Sequence, residues 1–273
     1  MRIWLADLTY TQQMIASDFV PAAIGMIAEY LENKMPDQPK TKLFKFPENL
    51  SKELQHEKPD LIGFSNYVWN SSLGDAYMKK IKEIYPEIIT VSGGPNFPTT
   101  ENEQLNYLKK KPWIDYYIVK EGEHAFFRLI EELKKKSSID VIAEVPNIVF
   151  LKNDKLYVHK KIERIMDLSA IPSPYLSGKL DSFLDGKLLP IIQTNRGCPF
   201  SCTFCTEGQS YWSKVRPKQK EVIEGEVSYI ADRMNNLDSD KKRSDLYIAD
   251  SNFGMYKEDL DPCRAIAKEQ MKT

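Results

Sequence analysis

The sequence predicts an α/β protein: a doubly wound, five-stranded parallel sheet in residues 1–137 and the start of a second α/β series in residues 188–273. Two observations support this fold class. Short apolar runs alternate five times with amphipathic stretches in the first 137 residues, which is the pattern of a parallel sheet covered by helices. The same alternation begins again near residue 188 and occurs twice before residue 273.

The first five strand–helix units follow each other in order. Pro21 opens the first helix, since a helix does not need the N–H of its first residue, and apolar residues then recur at helical spacing up to Leu31. The predicted strands are residues 3–6, 42–46, 61–64, 88–91 and 116–119. The second, fourth and fifth helices are predicted at about 48–57, 101–110 and 125–135, and the third carries Ala76, Met78, Ile81, Ile84 and Tyr85. This order predicts a Rossmann-like or flavodoxin-like domain.

Residues 138–187 interrupt the alternation. Two short apolar runs flank Asn153-Asp154, a residue pair that tolerates the backbone of tight hairpins, so a small appended hairpin is predicted. Residues 160–187 contain two prolines, two glycines and little periodicity, which is typical of an ordered linker. The predicted domains are therefore 1–137, 138–187 (hairpin and linker) and 188–273.

The second series has predicted strands at 188–194 and 246–249 and helices at about 221–234 and 258–271. Two such units fall far short of the roughly 250 residues of an eight-unit (β/α) barrel. The sequence therefore predicts the front part of a truncated barrel in a longer polypeptide. A naturally short protein that a partner chain completes is the alternative.

The composition argues against two classes of function. The chain has 38 Lys and Arg against 39 Asp and Glu, so nothing indicates a nucleic-acid-binding surface. No apolar run approaches the roughly 18 residues of a membrane span, and Asp7 interrupts the only early stretch that resembles a signal peptide. We expect a cytoplasmic protein without a membrane partner.

Three of the four cysteines, Cys198, Cys202 and Cys205, fall inside eight positions. The C-x3-C-x2-C spacing lets one loop turn all three sulfurs toward one centre, as thiolate ligation of iron requires. Three thiolates leave one iron of a four-iron cluster open for a substrate or cofactor, as in open catalytic metal sites. A structural zinc site or an electron-transfer cluster would usually need a fourth ligand, and Cys263 lies far away in the last predicted helix.

This spacing, with Arg196-Gly197 before it and Phe204 directly before the third cysteine, resembles the signature of radical S-adenosylmethionine (SAM) enzymes. The resemblance implies a [4Fe-4S] cluster on the three cysteines whose open iron binds SAM, with Phe204 near the adenine. It also implies reductive cleavage of SAM to a deoxyadenosyl radical, with electrons from a protein such as flavodoxin or ferredoxin. A place in the core is the alternative for Phe204.

Asp250 and Asn252 follow the second strand of the barrel series, on the face where barrels build their active sites. The resemblance suggests that both side chains face the SAM pocket. The alternative is helix capping and turn formation before the last helix.

In open α/β sheets the ligand lies beyond the carboxyl ends of the strands, so the loops after the first, third, fourth and fifth strands matter most. The first of these loops lacks the glycines of a dinucleotide fingerprint. A phosphoacceptor domain would need an aspartate after the third strand, where Ser65 stands. Neither of these generic interpretations fits well.

These loops resemble the cobalamin-binding domain that precedes the barrel in one large group of radical SAM enzymes. A glycine pair lets backbone approach a bulky ligand closely, and small or hydroxyl side chains leave room for a nucleotide tail; a tight turn is the alternative for the glycines. The predicted cobalamin contacts are Thr9, Tyr10, Ser65, Asn66, Tyr67, Gly93, Gly94, Pro95, Glu121, Gly122 and Glu123.

One feature departs from the resemblance. Many cobalamin domains carry Asp-x-His-x-x-Gly after the first strand, and the histidine is the lower cobalt ligand. Here Thr9 and Gln12 stand at the histidine and glycine positions, and His56, His124 and His159 lie elsewhere. The resemblance therefore implies that cobalt is bound without a protein imidazole.

Taken together, the resemblance implies a cobalamin-dependent radical SAM enzyme that transfers a methyl group to an unactivated carbon of a small-molecule or peptide substrate. Two alternatives remain open. One is a non-catalytic cobalamin-binding module with an incomplete barrel. The other is a radical SAM enzyme whose front domain contacts proteins and does not bind cobalamin.

Overall fold

The computed structural model describes residues 1–12, 14–37, 40–159, 162–238, 240–241 and 243–272. They form two compact units, one of Met1–Ser17 with Tyr30–Ile165 and one of Asp18–Glu29 with Met166–Thr273. These units divide the chain differently from the predicted boundaries at residues 137 and 187. Among the described residues, no helix combines the length and apolar character that crossing a membrane requires.

The predicted strands and helices of residues 1–137 are confirmed, although their ends shift by a few residues. The elements up to residue 165 are β1 (Ile3–Ala6), α1 (Ala22–Lys34), β2 (Lys42–Phe44), α2 (Pro47–His56), β3 (Leu61–Ser65), α3 (Ser71–Ile84), β4 (Ile89–Gly93), α4 (Glu101–Lys110), β5 (Tyr116–Ile118), α5 (Glu123–Lys135), α6 (Ile139–Ala143), β6 (Ile148–Lys152) and β7 (Lys155–Val158).

Within the described residues the main sheet has seven strands, in the order β2-β1-β3-β4-β5-β6-β7. The strands β1 to β5 are parallel, whereas β6 runs antiparallel to β5 and β7 antiparallel to β6. The five predicted strands form the parallel part, but the predicted count of five is not confirmed for the sheet as a whole. The hairpin around Asn153-Asp154 does form, with φ of 49° and 59° at its turn, but it extends the sheet because β5 would otherwise be an open edge.

The order in which successive parallel strands are added to the sheet reverses between β1 and β3. β2 lies beside β1 at one side of the sheet, and β3, β4 and β5 follow in order on the other side of β1. This is the flavodoxin-like arrangement. A crevice opens at such a switch point beyond the carboxyl ends of the strands. The loops after β1, β3, β4 and β5 therefore lie at the same edge of the sheet.

The core explains why the central strands are apolar along their whole length. In β1 and β3, both covered by helices, Trp4 is 1% exposed and Ile62 is fully buried. They pack in one cluster with Leu50 of α2, Met78 of α3 and Tyr117 of β5. Burial of this cluster makes the sheet a firm base for the loops at its edge.

The second unit contains β8 (Ile191–Ile192), β9 (Asn195–Arg196), β10 (Arg216–Pro217), α7 (Lys220–Asn235), β11 (Tyr247–Ile248) and α8 (Leu260–Gln270). The strands β8 and β11 pair in parallel and β9 pairs antiparallel to β10. The predicted helices are confirmed, while the predicted strands 188–194 and 246–249 are shorter than expected. The truncated barrel stays a prediction.

The predicted linker contributes to the packing of the second unit. The hydroxyl of Tyr175 donates to the Ile191 carbonyl oxygen at 2.7 Å. Leu180 is fully buried and Phe183 is 7% exposed. This stretch has little periodicity because its buried side chains lie on turns and on short 3-10 helices such as Asp181–Phe183.

Candidate functional site

The loop after β1 places its two predicted contact residues differently. Thr9 is 1% exposed, and its hydroxyl oxygen accepts a hydrogen bond from the Ser17 backbone N–H at 2.9 Å. Its own N–H donates to the Lys45 carbonyl oxygen at 3.1 Å. Thr9 therefore shapes the loop, whereas Tyr10 is 42% exposed and presents its ring at the surface.

The loop after β3 contains Asn66, which links three parts of the sheet edge. Its side-chain amide nitrogen lies 2.9 Å from the Asn96 carbonyl oxygen and 3.0 Å from the hydroxyls of both Tyr107 and Tyr117. The Tyr117 hydroxyl donates in turn to the Gly94 carbonyl oxygen at 2.9 Å. Burial raises the pKa of Tyr117, so the hydroxyl stays protonated and remains a donor.

The glycine pair after β4 meets this loop closely. Gly94 has φ of 135°, and a Cβ atom there would lie 2.6 Å from the Asn66 carbonyl oxygen. A Cβ atom at Gly93 would meet the Ile118 carbonyl oxygen at 3.4 Å, which is ordinary contact. The structure thus requires glycine at 94 because two loops touch, and Pro95 beyond it is exposed.

An exposed aromatic segment, which we call the aromatic loop (residues 67–69), follows Asn66. The rings of Tyr67 and Trp69 stack with centroids 4.6 Å apart and planes 7° from parallel. Trp69 is 49% and Val68 is 79% exposed. The sequence prediction included Tyr67 and missed the other two, although apolar residues in a loop directly after a buried strand were a usable signal.

The loop after β5 is mostly committed to local structure. Glu121 is 7% exposed, and its carboxylate accepts from the Ile165 backbone N–H at 3.2 Å and lies 3.7 Å from the Arg164 guanidinium. Gly122 precedes α5, whose first residue Glu123 is 4% exposed. Lys120 has φ of 64°, and burial lowers the pKa of its amine.

Four polar residues lie at the switch point; the sequence prediction named Ser65 as a contact and left out Asp7, Lys45 and Asn70. The Lys45 amine is 2.9 Å from a carboxylate oxygen of Asp7. The other carboxylate oxygen of Asp7 accepts from the Ser65 hydroxyl and, at 3.1 Å, from the Asn70 side-chain amide. These contacts tie the ends of β1, β2 and β3 together.

The residues at this edge suit a large, flat and partly apolar ligand such as cobalamin. Exposed rings and apolar side chains lie at this edge, and buried hydrogen bonds hold the loops that carry them. No imidazole stands in the loop after β1, where Thr9 is buried. His56 ends α2, His159 follows β7, and His124 in α5 lies 3.4 Å from the Tyr30 hydroxyl.

The cysteine loop of the second unit (residues 197–214) is compact. The Cys198 N–H donates to the Trp212 carbonyl oxygen at 2.9 Å and the Cys205 N–H to the Cys202 carbonyl oxygen at 3.2 Å. Gly197 has φ of 116°, and a Cβ atom there would lie 2.6 Å from the Lys214 carbonyl oxygen. Backbone contacts therefore hold the loop's ends together.

The thiols themselves are free. Cys198 is buried, while Cys202 and Cys205 are exposed. In the described part of the chain, no three side chains of Cys, His, Asp or Glu are grouped as a metal site. Three free thiols within eight positions supply the donor chemistry of an iron–sulfur cluster. The cluster itself stays a prediction.

The loop after β11 lies against the cysteine loop. Asp250 accepts hydrogen bonds from the Thr194 backbone N–H at 2.8 Å and the Asn195 side-chain amide at 3.0 Å. The Ser251 hydroxyl donates to the Glu207 carboxylate. Burial raises the pKa of Asp250, and the hydrogen bonds from Thr194 act in the opposite direction.

The Asp259 carboxylate closes the turn before α8, because it accepts from the Gly254 and Tyr256 N–H groups at 2.8 and 2.9 Å. In the same turn the Asn252 carbonyl oxygen accepts from the Met255 N–H at 3.3 Å. Among the described residues the buried amide nitrogen of Asn252 has no hydrogen-bond partner. Phe204 is 92% exposed, so the core alternative for this ring does not hold.

Comparison with known proteins gives the family. Residues 13–130 match the model of the B12 binding domain. The chain is 31% identical over 217 residues to the cobalamin-dependent radical SAM methyltransferase TokK of Streptomyces tokunonensis, a match covering 77% of this chain and 30% of that protein. It is 28% identical over 221 residues to the 2-(S-pantetheinyl)-carbapenam-3-carboxylate methyltransferase of Streptantibioticus cattleyicolor, covering 79% and 30%. The chain thus spans under a third of the length of these relatives.

Solved structures share the fold. The cobalamin-dependent SAM radical enzyme OxsB, with aqua-cobalamin and SAM bound, matches 100% of this chain and 37% of its own chain at a TM-score of 0.74 and 20% identity. TsrM from Kitasatospora setae, a radical SAM methyltransferase, matches 100% and 52% at a TM-score of 0.69 and 14% identity. The chain therefore belongs to the radical SAM enzymes that carry a B12-binding domain, and it corresponds to their N-terminal portion.

Proposed function

We propose that this chain binds cobalamin at the carboxyl edge of β1, β3, β4 and β5 and forms the N-terminal part of a cytoplasmic radical SAM methyltransferase. The observation that carries the proposal is the B12-binding match over residues 13–130, together with the hydrogen bonds that tie the β3 and β4 loops into one edge. The relatives TokK and the carbapenam methyltransferase are named as methyltransferases.

The side chains at this edge divide into two groups by exposure. Tyr10, Val68, Trp69 and Pro95 reach the surface, and with Tyr67 they would contact the corrin. The buried ones, Thr9 and Asn66 among them, hold the loops in place. When bound, cobalamin supplies a cobalt centre that carries a methyl group. The chain's own part is to bind and orient the corrin and to keep water from its contact face.

The second unit would hold the other cofactors. Cys198, Cys202 and Cys205 supply three thiolates for a [4Fe-4S] cluster. Asn252 offers a buried amide nitrogen without a described partner, suited to a polar group of SAM, and Asp250 holds that loop to Thr194, between β8 and β9. The exposed Phe204 ring could cover the adenine. The electrons would come from a flavodoxin or ferredoxin, and the methyl acceptor would be an unactivated carbon of a small molecule or peptide.

Titration of the purified chain with hydroxocobalamin, followed by absorption spectroscopy, tests the proposal. We expect one equivalent to bind. Trp69→Ala should weaken binding about tenfold, because it removes a large exposed ring. Ile84→Ala is the matched control: Ile84 is 51% exposed but ends α3, and the end of a crossover helix lies at the opposite edge of the sheet.

Absence of binding by the unmodified chain would refute the proposal and favour the alternative in which the front domain contacts only proteins. Equal weakening by both variants would place the corrin away from the aromatic loop.

A further inference from the structure

We propose that Lys45 is a positioning residue for the aromatic loop, acting through Asp7 and Asn70. The inference deepens the proposed function: this buried ion pair, and not a protein ligand to cobalt, gives the cobalamin edge its rigidity. Contacts among the chain's own residues carry it, independently of any bound cofactor.

Lys45 and Asp7 form a buried ion pair. The Lys45 side chain is 1% exposed and its amine lies 2.9 Å from Asp7, whose side chain is 16% exposed. Lysine is rarely buried without a partner. Strand β2 ends at Phe44, so Lys45 reaches from just beyond β2 to the end of β1.

Hydrogen bonds of Asn70 connect this ion pair to the aromatic loop. One carboxylate oxygen of Asp7 accepts from the Asn70 side-chain amide at 3.1 Å, and that amide also lies 2.9 Å from the Ser65 hydroxyl. The Asn70 side-chain oxygen accepts from the Tyr67 N–H at 2.8 Å. Asn70 is 1% exposed. A continuous path of contacts therefore leads from Lys45 to the start of the aromatic loop.

The charges of Lys45 and Asp7 compensate each other. One carboxylate oxygen of Asp7 lies against Lys45, while the other accepts from Ser65 and Asn70. Removing one member of a buried pair leaves the other charge without compensation, which is costly. Without Lys45 the Asp7 carboxylate would turn toward water, and the Asn70 amide would keep only its contact with the Ser65 hydroxyl.

The contacts from Lys45 through Asn70 support the aromatic loop. Val68 and the stacked rings of Tyr67 and Trp69 expose apolar surface at the ligand edge. A flat, ordered stack loses less entropy on binding than a mobile one, so order in the free chain translates into affinity. Asn70 holds the loop from beneath, and Lys45 keeps Asn70 in place.

The test follows loop order without cobalamin. The full chain is labelled with 5-fluorotryptophan, and its fluorine NMR spectrum reports Trp4, Trp69, Trp113 and Trp212; the variant Trp69→Phe assigns the Trp69 signal. In Lys45→Met and Asn70→Ala we expect only that signal to broaden or to move toward its position in urea. Hydroxocobalamin affinity should fall about tenfold in both variants.

Two further variants separate positioning from general damage. Lys80→Met is the matched control, since it removes an ion pair to Glu83 from a side chain that is 68% exposed on α3, and it should leave the Trp69 signal unchanged. The double variant Asp7→Asn with Lys45→Met removes both charges and keeps a side-chain oxygen for Asn70. It should restore the Trp69 signal.

An unshifted Trp69 signal in folded Lys45→Met overturns the proposal. If Lys45→Met loses all four native signals, Asn70→Ala decides: a shifted Trp69 signal supports the path of contacts and an unshifted one refutes it. A shifted signal in a chain whose unmodified form binds no cobalamin would support the positioning role and refute the proposed function, so the two failures are distinguishable.

Discussion

Cys202→Ala is expected to abolish the iron–sulfur cluster. After anaerobic reconstitution with iron and sulfide, the unmodified chain should hold about four irons, as a [4Fe-4S] cluster requires. Cys202 is exposed in the middle of the cysteine loop. With two thiolates left, at least two irons of a cubane would lack a protein ligand, so we expect iron and sulfide contents near zero and no signal from a reduced cluster in electron paramagnetic resonance.

Cys263→Ala provides the matched control. Cys263 is also an exposed, free cysteine, but it lies in α8, and its replacement should leave the cluster intact. A Cys202→Ala protein that keeps its full iron content would contradict the assignment. Loss of the cluster in Cys263→Ala would indicate a closed, four-thiolate cluster and contradict the open iron.

Gly94→Ala is expected to destabilise the first unit by about 2 kcal/mol, because a positive φ and a steric overlap act together. The φ of Gly94 is 135°, a conformation that residues with a Cβ atom rarely adopt. The new methyl group would lie 2.6 Å from the Asn66 carbonyl oxygen. Since both groups are backbone or close to it, the loops would have to separate, and cobalamin binding should weaken as well.

The same substitution at Gly74 tests this explanation. Gly74 lies in α3, and a Cβ atom there would make ordinary contacts with Phe64 at 3.8 Å. Gly74→Ala should leave stability unchanged or raise it by up to about 1 kcal/mol. Urea unfolding of both variants measures the difference. Equal stability of Gly94→Ala and Gly74→Ala would show that the loops do not meet as described.

The sequence was sufficient for the parallel part of the sheet because its signals are local. Apolar runs such as residues 61–64 are buried on both faces and alternate with amphipathic helices, so each could be recognised from its own residues. The hairpin turn at Asn153-Asp154 was equally local. Its attachment to β5 was not, since Ile118 pairs with Ile148 across 30 positions of chain, and no residue pattern encodes that partner.

The candidate site divides in the same way. The sequence identified the loops, because strand order alone brings them to one edge. It could not assign the roles of the side chains. Lys45 is of a residue type that is usually exposed, yet it is buried against Asp7. The Glu121 carboxylate accepts a hydrogen bond from the Ile165 backbone N–H. The glycine prediction concerned close approach of backbone, and at Gly94 the close neighbour is Asn66.

A crystal structure of this chain grown with hydroxocobalamin tests the central proposal most directly. We predict the corrin at the carboxyl edge of β1, β3, β4 and β5, against the Tyr67 and Trp69 rings, with no histidine nitrogen within bonding distance of cobalt. A corrin bound away from this edge, or a cobalt ligated by His56, His124 or His159, would contradict it.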